Sequence, residues 1–118
     1  MPKTVLIVED EFLIAMDLQL LLEGCGWRVM GPVESVKAAL RSLEDELPSV
    51  ALLDVSLGDE LVTPVAETLK ARNVPFVVAS AYERPERIGG QVLAGAPNVG
   101  KPIREQRLLA ALAKLTEL

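Results

Sequence analysis

Side chains able to act as acids, nucleophiles or metal ligands follow several short apolar segments of this chain. They are Glu9, Asp10, Asp54, Ser80 and Lys101. The sequence has no histidine, which excludes Ser-His-Asp and Cys-His catalysis, histidine metal ligands and a phosphohistidine donor. Its single cysteine excludes an internal disulfide and any multi-cysteine metal site. The available chemistry therefore rests on carboxylates, hydroxyls, lysine, arginine and the backbone.

Composition narrows the class of protein further. The 118 residues suffice for one domain with a single core; 50% of them are hydrophobic and 25% are charged. The formal charge of −5 disfavours nucleic acid or an anionic membrane as a direct partner. The first residues show no signal peptide, and no apolar run is long enough to cross a membrane. We therefore expect a cytoplasmic domain.

Short apolar runs alternate with longer amphipathic ones, as in proteins built from βα units. Such units, joined by short connections, predict an α/β fold: a doubly wound, five-stranded parallel sheet with helices on both faces. The second strand contains Gly31 and Pro32, which favours an edge position. The five predicted strands are Thr4–Val8, Arg28–Val33, Val50–Leu53 ending in Asp54, Pro75–Ala79 and, more weakly, Asn98–Gly100.

Helices are predicted between the strands. Ser35 is expected to cap the second helix, and Pro64 falls in the first turn of the third, where proline is tolerated. Gly24 and Gly26 are expected to close the first helix. Apolar residues at helical spacing mark the first and last helices: Ile14, Leu18, Leu21 and Leu22, and then Leu108, Ala111, Leu112 and Leu115.

Two connections are less regular. Residues 56–59 are predicted to form a loop. Residues 83–97 contain three glycines and two prolines, which predict a short or mobile fourth helix. The alternative is an ordinary helix held by tertiary packing, since packing often overrides intrinsic propensity.

The carboxyl ends of parallel strands are where α/β sheets bind ligands, so the five polar residues named above should converge. Three carboxylates in one crevice repel one another unless a cation neutralises them, and an oxygen-only ligand set suits Mg²⁺. Asp54 could then act as a carboxylate nucleophile toward a phosphoryl group. Lys101 would neutralise one of the transferred oxygens, and Ser80 would hydrogen-bond the new phosphate.

Each of these residues also has an ordinary structural explanation. Asp10 could simply cap the first helix, Asp54 and Ser80 could be turn residues, and Lys101 could be a solvated surface lysine. Four independent strand ends that each supply a fitting group favour the functional interpretation over these separate explanations.

Taken together, Glu9-Asp10-Glu11, Asp54, Ser80 and Lys101-Pro102 resemble the receiver domain of two-component response regulators. The similarity extends over essentially the whole chain. It implies a flavodoxin-like receiver fold with strand order 2-1-3-4-5. It also implies one receiver domain over residues 1–118, with no output domain, that accepts phosphate and is not an enzyme.

The resemblance assigns a role to each residue. Asp54 would be the phosphoacceptor, served by a sensor histidine kinase or a phosphotransfer protein. Mg²⁺ would be held by Glu9, Asp10, Asp54 and the backbone carbonyl of Ser56. Ser80 would be the switch hydroxyl, and Lys101 would bind the phosphoryl group.

One position departs from the family pattern. Receivers often carry an aromatic residue three positions before the lysine, where this chain has Asn98. The run Pro75–Tyr82 is similar to the Pro-Phe-x-Phe-Ala-Thr-Gly-Tyr run of a receiver subgroup that tends to lack this aromatic residue and is associated with HWE-class histidine kinases. Tyr82, with residues 83–97, then becomes the candidate moving part.

The same resemblance places the contact surfaces. Leu13, Ile14 and Met16 on the first helix are candidates for kinase docking, with core packing as the alternative. Output through a protein partner would use the region of the fourth helix, fifth strand and fifth helix, where Arg104, Gln106 and Arg107 are expected to be exposed. Draining of phosphate is the alternative output.

Two other function classes compete with this interpretation. An aspartate-nucleophile phosphatase would also use Mg²⁺ and a lysine, but Asp54-Val55-Ser56 lacks the second aspartate of that motif. A pseudo-receiver that binds partners without accepting phosphate would have no need of the complete polar set. Dinucleotide binding is disfavoured because acids occupy the place of a glycine-rich loop after the first strand.

Overall fold

Four of the apolar runs pair as parallel strands, with helices packed on both faces of the sheet. A computed structural model describes residues 3–117. The strands are β1 Thr4–Val8, β2 Arg28–Val33, β3 Val50–Asp54, β4 Ser56–Leu57, β5 Glu60–Leu61 and β6 Phe76–Ala79. The helices are α1 Phe12–Gly24, α2 Val36–Asp45, α3 Thr63–Ala71, α4 Glu86–Gly89 and α5 Glu105–Thr116, and a 3₁₀ turn spans Gln91–Leu93.

The parallel sheet has the order β2-β1-β3-β6. The prediction of five strands is wrong. In the part of the chain that the structure describes, residues 98–100 add only an isolated parallel bridge between Val78 and Asn98. Gly100 then adopts a φ of +81°, a conformation that glycine reaches without steric cost and that ends the extended run.

Alternation along each strand divides the apolar side chains between two layers. Val5 and Ile7 of β1 pack with the buried faces of α1 and α5, whereas Leu6 and Val8 pack with those of α2 and α3. Strands covered on both faces are expected to be continuously apolar, as β1 and β3 are. The α/β class with helices on both faces is therefore confirmed, and the packing fixes the strand ends at one edge.

The segment after β3 is more ordered than the predicted loop. Residues 56–61 form a two-stranded antiparallel hairpin, β4–β5, in which Ser56 pairs with Leu61 and Leu57 with Glu60. Leu57 is buried in the same apolar cluster as α2 and α3, which explains why the segment is held in place. The sequence did not predict the hairpin because its two strands have only two residues each.

The fourth helix is short, as its glycines and prolines predicted. Helix α4 has four residues, and the 3₁₀ turn after it has three. Gly89 packs closely against its neighbours, since an added Cβ would lie 2.5 Å from Leu93 Cδ1 and the Leu93 side chain would have to move. The ordinary-helix alternative is therefore wrong. None of the helices within residues 3–117 is both long and apolar enough to cross a membrane.

Two side chains hold the first turn of α2. The Ser35 hydroxyl accepts a hydrogen bond from the Ala38 N–H at 3.1 Å, which confirms the predicted cap. The Glu60 carboxylate of the hairpin accepts one from the Val36 N–H at 2.9 Å. Both bonds satisfy N–H groups that have no partner inside the helix.

We expect Ser35→Ala to lower the free energy of unfolding by about 1 kcal/mol, because the Ala38 N–H loses its cap. Urea denaturation would measure the change. Ser42→Ala, in the interior of the same helix, is the matched control and should cause no loss. Equal destabilisation by both substitutions would contradict the capping role.

Candidate functional site

The carboxyl ends of β1, β3 and β6 bring the predicted polar residues to one edge of the sheet. Glu9 and Asp10 directly follow β1, Asp54 is the last residue of β3, and Ser80 directly follows β6. The parallel register aligns these ends, since Val8 pairs with Leu53 and Asp54 with Ala79. The common edge that the sequence predicted is therefore present.

Three carboxylates form a tight cluster at this edge. One carboxylate oxygen from each of Glu9, Asp10 and Asp54 lies within 4.8 Å of the others. Glu9 and Asp54 are each only 3% exposed, and Asp10 is half-buried. Gly58 of the hairpin lies over the cluster, where an added Cβ would be 3.8 Å from Asp10 Oδ2.

Asp54 is held through one of its two oxygens. Its Oδ1 accepts a hydrogen bond from the Lys101 ammonium at 2.8 Å and a longer one, at 3.4 Å, from the Ser56 N–H. Its Oδ2 is buried and has no hydrogen-bond partner among the described residues. A buried carboxylate oxygen without a hydrogen-bond partner is costly, so the chemistry of this atom suits a bound cation.

The donor set fits a divalent ion. Carboxylate oxygens are the ligands that Mg²⁺ prefers, and it usually takes one or two of them together with water. Glu9, Asp10 and Asp54 supply three such groups, and the unpartnered Oδ2 faces no competing donor among residues 3–117. These residues therefore fit a hard cation such as Mg²⁺.

The acids and the lysine shift one another's ionisation. Burial raises the pKa of Glu9 to about 7, although a hydrogen bond from the Glu11 N–H opposes this shift; the nearby charge of Asp54 adds to it. Burial opposes the charge on Lys101, but its hydrogen bond to Asp54 and the surrounding carboxylates outweigh this effect and raise the lysine pKa above its ordinary value. The site therefore carries more negative than positive charge.

Ser80 is buried beside the lysine but does not use its hydroxyl on Asp54. It is 5% exposed, and its Oγ accepts a hydrogen bond from the Tyr82 N–H at 3.0 Å. Ser80 and Lys101 line the same surface cavity. Tyr82 itself is 59% exposed.

Asn98 is a site residue whose contacts the sequence analysis missed. Its Oδ1 accepts hydrogen bonds from the Ser80 and Gly100 N–H groups, and its Nδ2 donates to the Tyr82 carbonyl. A signal was available in the sequence, because asparagine side chains commonly bond the backbone N–H two residues further on. The bond to Gly100 has this form. Asn98 thus joins two loops of the site.

The predicted contact surfaces differ in exposure. Leu13 is 73% exposed and Met16 is also exposed, so core packing is excluded for both, whereas Ile14 is half-buried against the core. Phe12 and Leu20 extend the exposed apolar side of α1. The three polar residues near the start of α5 are exposed as predicted: Arg104, Gln106 and Arg107.

Comparisons with known proteins agree with this geometry. The family described as response regulator receiver domain matches residues 5–113. The phyllosphere-induced regulator PhyR of Methylorubrum extorquens is 34% identical over 118 residues, which cover 97% of this chain and 43% of PhyR. The sensory transduction protein LytT of Bacillus cereus is 33% identical over 93% of this chain and 46% of LytT. The chain thus spans about half the length of these curated relatives.

Solved structures show the same fold over the full length. The solution structure of SdrG from Sphingomonas melonis Fr1 has a TM-score of 0.80 and 39% identity, and the match covers 98% of both chains. A CheY-like receiver domain from Methylobacillus flagellatus, at 23% identity, has a TM-score of 0.81 over 98% of this chain and 99% of that one. The four-stranded sheet, the strand-end acids and the family match agree, and the chain belongs to the response regulator receiver domain family.

Proposed function

We propose that this receiver domain is a phosphoacceptor in a two-component phosphorelay, with Asp54 as the residue that is phosphorylated. One observation carries the proposal. Asp54 is buried, its carboxylate lies within 4.8 Å of two others, its Oδ1 is 2.8 Å from the Lys101 ammonium, and its Oδ2 is unpartnered among the described residues. A purely structural aspartate would leave neither a free oxygen nor an uncompensated acid cluster.

The proposed reaction transfers a phosphoryl group from a phosphohistidine to Asp54. An Asp54 oxygen forms a bond to phosphorus while the bond from phosphorus to the histidine nitrogen breaks, and the nitrogen keeps the electron pair and takes a proton from water. The product is an acyl phosphate. Lys101 binds one phosphoryl oxygen as charge develops there, which is the main electrostatic help that this chain supplies.

Mg²⁺ is the proposed cofactor, held by Glu9, Asp10, Asp54 and the Ser56 backbone carbonyl. When bound, it neutralises the acids and the charge on the transferred group. The raised pKa of Glu9 supports this need for a cation, since the buried carboxylate is not balanced by Lys101 alone. The Ser56 N–H already donates to Asp54, which keeps the start of the hairpin close to the cluster.

We propose that Ser80 and Tyr82 carry the phosphorylation signal away from the site. The Ser80 hydroxyl, now an acceptor for the Tyr82 N–H, would turn to donate to the phosphate. That rotation would move the Oγ lone pairs away from the Tyr82 N–H and remove one of the hydrogen bonds that restrain the loop before α4. The short α4 and its adjoining turn offer few helical hydrogen bonds to resist movement.

The proposed phosphodonor is a sensor histidine kinase or a phosphotransfer protein, which docks on α1. A groove beside the site is lined by Ile14, Leu18 and Leu21 of α1 and by Lys101 and Ile103. The exposed Leu13 lies on the same helix. An apolar helix side next to the phosphoacceptor suits a helical partner that must bring its phosphohistidine to Asp54.

The subgroup of the donor is part of the proposal. The Pro75–Tyr82 run supports a Phe-Ala-Thr-Gly-Tyr-type receiver served by an HWE-class kinase, although Val78, Ser80 and Ala81 replace the usual residues. A cytoplasmic location accords with a kinase donor.

Output is proposed to occur through protein contacts near the start of α5 or by draining of phosphate. A PhyR from Bartonella quintana is described as an anti-anti-sigma factor, but the match covers 47% of that protein, so its activity belongs to the whole chain of PhyR. Arg104 and Arg107 give this surface a positive charge on an otherwise acidic domain. An acidic partner segment would be attracted there.

We expect wild-type protein incubated with acetyl phosphate and Mg²⁺ to gain a single phosphate adduct by intact-mass measurement. Asp54→Asn should abolish the adduct, and so should a chelator, because the carboxylate and the cation are both required. Asp59→Asn, in the exposed hairpin turn, is the matched control and should be phosphorylated normally. Sustained release of phosphate from a model ester would instead favour the phosphatase alternative.

Lys101→Ala should slow this phosphorylation about tenfold or more, because an electrostatic contact to the phosphoryl group is lost. Lys114→Ala, on the exposed surface of α5, is the control for removal of a positive charge. The time course of adduct formation measures both rates. The same rate in both variants would remove Lys101 from the proposed mechanism.

Glu9→Gln should stabilise the metal-free protein at pH 8 by on the order of 2 kcal/mol relative to wild type and much less at pH 5. The folded protein holds the Glu9 proton more tightly than the unfolded chain, whose ordinary pKa is near 4.5. Its favourable contribution is therefore complete below pH 4.5 and lost as the pH rises through about 7. Urea unfolding in a chelator at several pH values measures the difference, with the exposed Glu44→Gln as control. A difference in unfolding free energy that does not change with pH would contradict the raised pKa of Glu9.

A further inference from the structure

The backbone ladder at the edge of β6 stops one step before the site. Val78 pairs with the 97–99 segment through two backbone bonds, from the Val78 N–H to the Pro97 carbonyl and from the Val99 N–H to the Val78 carbonyl, both 2.9 Å. In a regular parallel ladder the next donor, the Ser80 N–H, would bond the Val99 carbonyl. It bonds the Asn98 side chain instead.

The Asn98 side-chain amide therefore takes the place of backbone pairing at this position. Its Oδ1 accepts from the Ser80 N–H at 3.1 Å and from the Gly100 N–H at 3.0 Å, and its Nδ2 donates to the Tyr82 carbonyl at 2.8 Å. The side-chain amide thus forms three hydrogen bonds, and all three partners are backbone groups. No other residue in the described chain contacts both loops with its side chain in this way.

The contacts join two loops of the site. Ser80 and Tyr82 belong to the loop before α4, whereas Gly100 immediately precedes Lys101, whose ammonium binds Asp54. The turn at Gly100 has a positive φ, so the direction in which Lys101 leaves the sheet depends on how that N–H is held. A side chain, unlike a strand, can release these bonds without breaking the sheet.

We propose that Asn98 is a positioning residue that sets Lys101 through Oδ1 and restrains the Tyr82 loop through Nδ2. The inference rests on the proposed phosphorylation of Asp54. It adds that the oxygen and the nitrogen of one side-chain amide have different roles. The hydrogen bonds to Oδ1 keep the Lys101 ammonium in place for phosphoryl transfer. The Nδ2 bond holds the loop closed until the Ser80 hydroxyl turns toward the phosphate.

Two substitutions separate the roles. Asn98→Ala removes all three bonds. Asn98→Asp keeps an acceptor for the Ser80 and Gly100 N–H groups but presents an oxygen to the Tyr82 carbonyl, which repels it. The two variants should therefore differ in the position of Lys101 and agree in the state of the Tyr82 loop.

Amide hydrogen exchange, without metal or donor, is the first measurement. In Asn98→Ala the Ser80 and Gly100 amides should exchange about tenfold faster than in wild type, and in Asn98→Asp within about threefold. Tyr82 is the single tyrosine of the chain, so 3-fluorotyrosine gives one ¹⁹F signal. That signal should shift in both variants. Unchanged exchange and an unmoved signal in Asn98→Ala would overturn the inference.

Phosphorylation by acetyl phosphate with Mg²⁺ is the second measurement. Asn98→Ala should react about tenfold more slowly than wild type, and Asn98→Asp should recover the rate to within about threefold. A wild-type rate in Asn98→Ala, or no recovery in a folded Asn98→Asp, would overturn the positioning role. If wild type itself gained no phosphate, the proposed function would fail, and the exchange and ¹⁹F results would still decide whether the amide holds the two loops. Should Asn98→Ala not fold, the ¹⁹F signal of Asn98→Asp still tests the Nδ2 bond, and a tenfold loss of rate or tenfold faster exchange of the Ser80 and Gly100 amides in that variant would contradict the role of Oδ1.

Discussion

Negative charge at one edge of the sheet is the constraint on which the rest of this molecule depends. Three carboxylates lie within 4.8 Å of one another and two of them are buried, yet among residues 3–117 only the Lys101 ammonium forms an ion pair with the group. Like charges at this separation in a poorly solvated site repel strongly. The folded protein tolerates the cluster because two layers of apolar packing fix the ends of β1 and β3. The unbalanced negative charge makes the site fit for a cation such as Mg²⁺.

Much of this arrangement could be predicted because it follows from chain periodicity. Continuous apolar runs gave the central strands, and parallel strands necessarily bring their carboxyl ends together, so Glu9, Asp10, Asp54 and Ser80 could be placed at one edge. The Ser35 cap was also predictable, since its hydrogen bond is local. The prediction of Lys101 beside Asp54 rested on a weak fifth strand, yet the contact is present without that strand.

The errors concern features that local patterns do not encode. The fifth strand failed because Gly100 turns the chain and the Asn98 side chain takes the place of backbone pairing. The β4–β5 hairpin was missed because its strands are too short to show alternation and depend on the burial of Leu57. In both cases long-range contacts decide the outcome. The shortness of α4 was the exception, since its glycines act locally.

The hairpin has a consequence for how freely this chain can vary. Surface loops usually accept insertions at small cost. Here the segment between Asp54 and α3 is anchored at both sides, because Gly58 lies against Asp10 and Glu60 holds the first turn of α2. A residue added or removed at the turn would move the Glu60 carboxylate away from the Val36 N–H or push the backbone at Gly58 against Asp10. The length of this loop is therefore as restricted as the side chain at a core position. Natural insertions and deletions should accumulate in other connections.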